Sequence, residues 1–187
     1  MELGWWGDYS SQESMMEYWG FGQDSGYEPL LVTGGFMEQI WAPTMYQLAE
    51  VLGLQVEGFE MTYETDQTDV DTEVGFGTIL AGKNVVAHFE FRAMSGGKPF
   101  AIVEHNDCVA RNVGSKWPQP FGPKDMSYRV EIEGEPSFSI EINFDFADGL
   151  KVSAMPPINS IPAVCAAPSG LLGPLDVPRY WPGMPQS

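Results

Sequence analysis

Positive charge is scarce in this chain: 9 Lys and Arg stand against 26 Asp and Glu in 187 residues, giving a formal net charge of −17. Nucleic-acid grooves and anionic membrane surfaces are bound through clustered cations that displace counterions, so neither is an expected partner. Long apolar runs are missing too. No stretch reaches the roughly 18 apolar residues of a membrane-spanning helix, and the opening Met1-Glu2-Leu3-Gly4-Trp5-Trp6 lacks the basic start and apolar stretch of a secretion signal. A cytoplasmic protein is expected. Cysteine is limited to Cys108 and Cys165, far apart and without CxxC, HExxH or EF-hand spacing. They are expected as buried free thiols, and no metal site is expected.

What remains is rich in other ways. Hydrophobic residues make up 43% and aromatics 13% of the chain, with 21 Gly and 15 Pro, a composition that folds rather than stays disordered. The length suits a single domain over 1–187, with a Pro-rich tail over 168–187. Glu2 to Tyr9 reads as an apolar strand running into a loop. Ser10-Ser11-Gln12-Glu13 then forms a capping box before a short helix that ends at Gly20 and Gly22. Phe36, Ile40, Trp41, Met45, Leu48, Val51 and Leu52 recur at helical spacing, stopped by Gly53, with Pro43 either kinking the helix or marking its first turn.

After Gly53 the period turns alternating at Val56, Phe59, Met61 and Tyr63, and Glu64 to Glu73 reads as a solvated acidic loop. Val74 to Leu80, Val85 to Met94 and Pro99 to Val109 are expected to form a meander through turns at Ala81-Gly82-Lys83-Asn84 and Ser95-Gly96-Gly97-Lys98. Tyr128 to Glu133 and Phe138 to Phe144 form a further pair, and Ile158 to Ala167 a small-residue helix interrupted by Pro162. The fold class is therefore α+β, a mixed, largely antiparallel sheet with a few helices packed on it.

Few residues suggest chemistry. Gly20-Phe21-Gly22 and Gly75-Phe76-Gly77 lack the third glycine that opens a helix after a strand, so they read as turns rather than phosphate cradles. Glu104 and His105 could act together as a base, but neighbouring strand residues point to opposite faces, which separates them. His105 is a candidate site residue and His88 a weaker one. The richest cluster is Trp5, Trp6, Asp8, Tyr9, Ser10 and Ser11 on the strand-to-helix loop, followed by Trp19, because loop aromatics either fill a core or wall a pocket. The acidic run Asp66, Asp69, Asp71 and Glu73 lacks the turn glycine and bidentate Glu of a calcium loop.

The segment Ile158-Asn159-Ser160-Ile161-Pro162-Ala163-Val164-Cys165-Ala166-Ala167-Pro168-Ser169-Gly170-Leu171-Leu172, with Leu175-Asp176-Val177-Pro178 behind it, resembles the close of the dihydrodipicolinate reductase-like family, which includes 2,4-diaminopentanoate dehydrogenase and related amine dehydrogenases. Tyr18-Trp19-Gly20-Phe21-Gly22, Val103-Glu104-His105, Trp117-Pro118 and Tyr128 to Pro136 match in the same order. The resemblance implies the C-terminal half of an NAD(P)H-dependent enzyme whose Rossmann domain has no counterpart here, so no cofactor is expected on this chain. It further implies a substrate pocket lined by Asp8, Tyr9, Ser10 and Ser11 and walled by Trp5, Trp6 and Trp19, with Asn159 near the inter-domain hinge. Asp8 would attract a primary amine or iminium, and the rings would add cation–π attraction. Met155-Pro156-Pro157 departs from the family, since two prolines are expected to stop the helix upstream.

The expected function is a substrate-binding and oligomerisation domain of an NAD(P)H-dependent amine or imine oxidoreductase, either a fragment or a subunit completed by a separate Rossmann-domain chain, and assembled at least as a homodimer. The alternative is a stand-alone small-molecule-binding or cofactor-free catalytic domain. A plain dimerisation module would have no cavity of the roughly 300 Å³ that ligand sites need.

Overall fold

The computed structural model describes residues 2–5, 13–110, 113 and 116–177. They fall into two compact units, Met1–Phe146 and Ala147–Ser187. In the first, β1 (Glu2–Trp5) is followed by α1 (Glu13–Trp19), the short α2 (Leu30–Thr33) and α3 (Phe36–Leu52). Then come β2 (Gly58–Gln67), β3 (Thr72–Val74), β4 (Gly77–Ile79), β5 (Asn84–Ser95), β6 (Lys98–Cys108), β7 (Met126–Ile132) and β8 (Phe138–Phe144). The second unit is built around α4 (Gly149–Ala166).

Six strands form one sheet in the order β2-β5-β6-β1-β7-β8. Only β1 and β6 run parallel, and every other neighbour is antiparallel. The α+β class, with a mixed and largely antiparallel sheet, is what the strand patterning predicts. The Ser95-Gly96-Gly97-Lys98 turn joins β5 to β6, and both glycines take positive φ of 61° and 73°. L side chains avoid that region.

The helices α1 to α3 cover one face of the sheet. Met16, Trp19, Leu31, Met37, Ala42 and Met45 pack there with Phe89, Phe91 and Ala93 of β5 in a single buried core. Gly20 shows why the end of α1 needs glycine: its φ is +83°, and a Cβ would stand 2.7 Å from the Tyr63 hydroxyl. That hydroxyl donates to the Trp19 carbonyl at 3.1 Å, tying the helix end to β2.

Several expectations change. Residues 64–67 belong to β2 rather than to a loop, because they continue the ladder with His88, Ala87, Val86 and Asn84 of β5. β2 is an edge strand, where charged side chains such as Glu60 and Glu64 discourage pairing with other chains. The expected strand Val74 to Leu80 is instead the turn and second arm of a separate β3–β4 hairpin. On α3 the buried residues are Met37, Ala42, Met45 and Ala49. Phe36, Ile40, Leu48, Val51 and Leu52 are 40 to 65% exposed. The helix has apolar residues on more than one side, and the side with two alanines allows the closer approach to the sheet.

Pro43 lies inside α3, which starts at Phe36. α4 likewise runs through Pro156, Pro157 and Pro162, so the helix does not stop at Met155-Pro156-Pro157. Proline keeps a helical φ, and what it removes is one backbone donor per ring, a loss an exposed helix tolerates more readily than a buried one. Cys108 is buried as expected, whereas Cys165 on α4 is exposed. No helix among the described residues is long and apolar enough to cross a membrane.

Candidate functional site

Alternation along β6 sends Glu104 and His105 to opposite faces, as the strand reading requires, and each face builds its own cluster. On the helix-covered face, the His105 imidazole is 6% exposed. It stacks on Phe89 at 4.4 Å between centroids, with Trp41 at 5.6 Å and Trp19 at 5.9 Å. Two residues on, fully buried Asp107 shares that face, with its Oδ2 3.8 Å from His105 Nδ1. An imidazole boxed by rings and facing a carboxylate can take up a proton or polarise a bound polar group.

The opposite face carries His88 and Glu90 of β5 beside Glu104 and Asn106 of β6. His88 Nε2 lies 3.2 Å from Glu104 Oε1, and Asn106 Nδ2 donates to the same oxygen at 3.0 Å. Trp117 lies flat on the His88 ring, 3.9 Å between centroids. The His88 hydrogen bond outweighs burial and, with Asn106, holds the Glu104 carboxyl below its ordinary value. Farther along this face, Glu141 accepts from Ser127 at 2.8 Å and from Arg129 Nε at 2.9 Å. Burial works against its ionisation, but Ser127, Arg129 and the amides of Phe121 and Gly122 together lower its pKa.

A cleft of about 500 Å³ opens between the end of α1 and the β3–β4 hairpin, lined by Met16, Glu17, Phe21, Phe76, Ile79 and Lys83 among others. Its Lys83 ammonium is held by Asp24 at 2.7 Å. The Gly20-Phe21-Gly22 turn has its amides occupied. The amides of Gly20, Phe21 and Gly22 all donate within the protein, to Glu17, Met16 and Asn84 carbonyls at 3.0, 2.9 and 2.8 Å. Gly75-Phe76-Gly77 makes the β3–β4 turn, where Val74 pairs with Gly77.

Of the residues singled out in the sequence, Trp19 and His105 come together in the buried ring box. Trp5 closes β1 opposite Cys108, with Glu2 opposite His105 and Gly4 opposite Asp107. Trp6, Asp8, Tyr9, Ser10 and Ser11 lie outside the described residues. Asn159 is half-buried on α4, in the second unit. Sequence reading passed over Trp41, Asp107, the cleft and the His88 cluster. Asp107 had a signal, since residues two apart on a strand share a face.

Nothing among the curated proteins matches the chain. Among solved structures, an amine dehydrogenase from Mycobacterium smegmatis shares the fold, with a TM-score of 0.57 over 98% of this chain at 17% identity. The chain spans 52% of that protein. The family model for the 2,4-diaminopentanoate dehydrogenase C-terminal domain matches residues 34–182, which take in α3, β2 to β8 and α4, and the chain belongs to that family.

Proposed function

We propose that this chain is the substrate-binding and oligomerisation domain of an NAD(P)H-dependent amine or imine oxidoreductase, with the dinucleotide held by a Rossmann domain outside these residues. The observation that carries the reading is membership, over residues 34–182, in a family defined as the C-terminal domain of a dehydrogenase. The Gly20-Phe21-Gly22 turn adds support, because its amides are engaged within the protein rather than free for a pyrophosphate. This chain's part is to bind and orient the amine.

In this reading Asp8 attracts the ammonium, Trp5, Trp6 and Trp19 wall the apolar part of the substrate, and His105, set by Asp107, faces its polar end. Tyr9, Ser10 and Ser11 supply hydrogen bonds. The exposed apolar residues of α3, and Val130, Ile132, Phe138, Ile140 and Ile142 along β7 and β8, supply the surface for a homodimer. Light scattering at micromolar concentration is expected to give at least a dimer.

A second reading has its own observation. The cleft of about 500 Å³ is large enough for a small apolar ligand bound by this chain alone. A thermal-shift titration separates the readings. Short primary amines are expected to raise the melting temperature and NADPH to leave it unchanged. Stabilisation by NADPH, or NADPH turnover by the chain alone, overturns the first reading, and stabilisation by neutral apolar compounds but not by amines supports the second.

A further inference from the structure

The His88 cluster has no part in the amine reading, and it lies on the face of the sheet away from α1 to α3. Register brings it together: Glu90 pairs with Glu104 and His88 with Asn106 across β5 and β6. All four side chains consequently project to one side. One ligand atom from each of His88, Glu90 and Glu104 lies within 4.8 Å of the others. We propose that these three side chains form a binding site for one divalent transition-metal ion of the zinc class.

The donor set selects the class. One imidazole nitrogen and two carboxylate oxygens suit Zn²⁺, Mn²⁺ or Fe²⁺, whereas calcium and magnesium favour oxygen alone and copper(I) favours sulfur. One further atom points the same way. Asn106 is 2% exposed, and its Oδ1 has no hydrogen-bond partner among the described residues. The same amide touches Glu104 through its nitrogen. Buried polar atoms are rarely left unsatisfied, so an amide oxygen held this way beside Glu104 marks a place where a ligand completes the bonding.

Charge agrees. β2 places Glu64 opposite His88 and Glu60 opposite Arg92 on the same face. Arg92 is the competing cation, because its guanidinium pairs with Glu90. The ion displaces that pairing and draws Glu90 in toward His88 and Glu104. Trp117, stacked on His88, covers the site on the ring side.

The full chain, stripped with a chelator and dialysed, is titrated with zinc chloride against a chromogenic chelator, and separately with cobalt chloride. The expected result is one zinc per chain and the appearance of cobalt visible absorption bands. E104Q and H88Q are expected to weaken zinc binding at least about tenfold, while D69N on the exposed acidic segment leaves it unchanged. Melting of metal-free E104Q by circular dichroism reports whether it folds. Should it not fold, E90Q, whose side chain lies nearer solvent, takes its place and is expected to weaken binding by a similar factor. Absence of stoichiometric zinc binding in the wild-type chain overturns the proposal. So does binding that survives E104Q, H88Q and E90Q, which would assign the ion to the acidic surface.

Discussion

The two faces of the six-stranded sheet are held by different physics, and each carries one of the chain's two histidines. Beneath the helices, His105 sits among Phe89, Trp19 and Trp41, where stacking and burial dominate. On the other face, His88 shares hydrogen bonds and charge with Glu104, and Arg129 binds Glu141 at 2.7 Å with a ring, Phe121, 3.6 Å from its guanidinium carbon. The first face is expected to respond most to loss of volume, and the second to loss of one partner of a charged pair.

Core truncation is the largest expected break. Phe89→Ala removes the ring that touches His105, Trp19 and the rest of the core, and about 3–5 kcal/mol of stability is expected to be lost in urea unfolding. On the polar face Arg129→Met is expected to match that loss, because it leaves the 7% exposed Glu141 side chain without its charge partner, an effect of about 3–5 kcal/mol. Replacing both partners by apolar residues recovers most of it. No comparable rescue exists for Phe89, and that asymmetry is the comparison in measurable form.

A smaller effect is expected at Gly20→Ala, about 1–3 kcal/mol, from its positive φ and its approach to the Tyr63 hydroxyl. Adding Tyr63→Phe removes the clashing oxygen but not the backbone strain, so it restores only part of the loss. Smaller again is the response to acid, which comes from the polar face. Glu104 and Glu141 both sit below their ordinary value of 4.5 in the folded protein. Their contribution is therefore complete above about pH 4.5, where the unfolded carboxyls are also ionised, and it is lost as pH falls through the lower folded values. Thermal melts from pH 7 to 3 are expected to decline below that point, and less steeply in E104Q. The thiols give a readout without an energy scale: burial, with Asp107 and Asp66 nearby, pushes Cys108 up to about 12. A thiol reagent at pH 8 is expected to label exposed Cys165 and spare Cys108.

The patterning of the chain was enough for the strands on either side of Gly96-Gly97, for the β7–β8 pair and for the separation of Glu104 from His105, because period-two alternation is a local property. The His88 cluster was hidden by one non-local detail. The β5–β6 register shifts between Ala93 and Met94, and without that bulge Glu104 would stand across from Phe89 and His88 across from His105. A one-residue slip of that kind leaves no mark in hydrophobic periodicity. Of the apolar residues that recur along α3, Met45 is buried and Trp41 packs on the core, whereas Phe36, Ile40, Leu48, Val51 and Leu52 are exposed, because apolar residues on more than one side leave the choice to tertiary packing. The prolines of α4 were read as breakers, although an exposed helix keeps its course through them.

The central claim is that the two faces have separate ligands, an amine at the His105 box and a metal ion at His88. Because the chain has only two histidines, their imidazole C–H resonances in nuclear magnetic resonance report the faces independently, with H88Q giving the assignment. Titration with a short primary amine is expected to shift the His105 signals alone, and zinc chloride the His88 signals alone. An amine that moves His88, or one that leaves His105 in place while binding, contradicts the account.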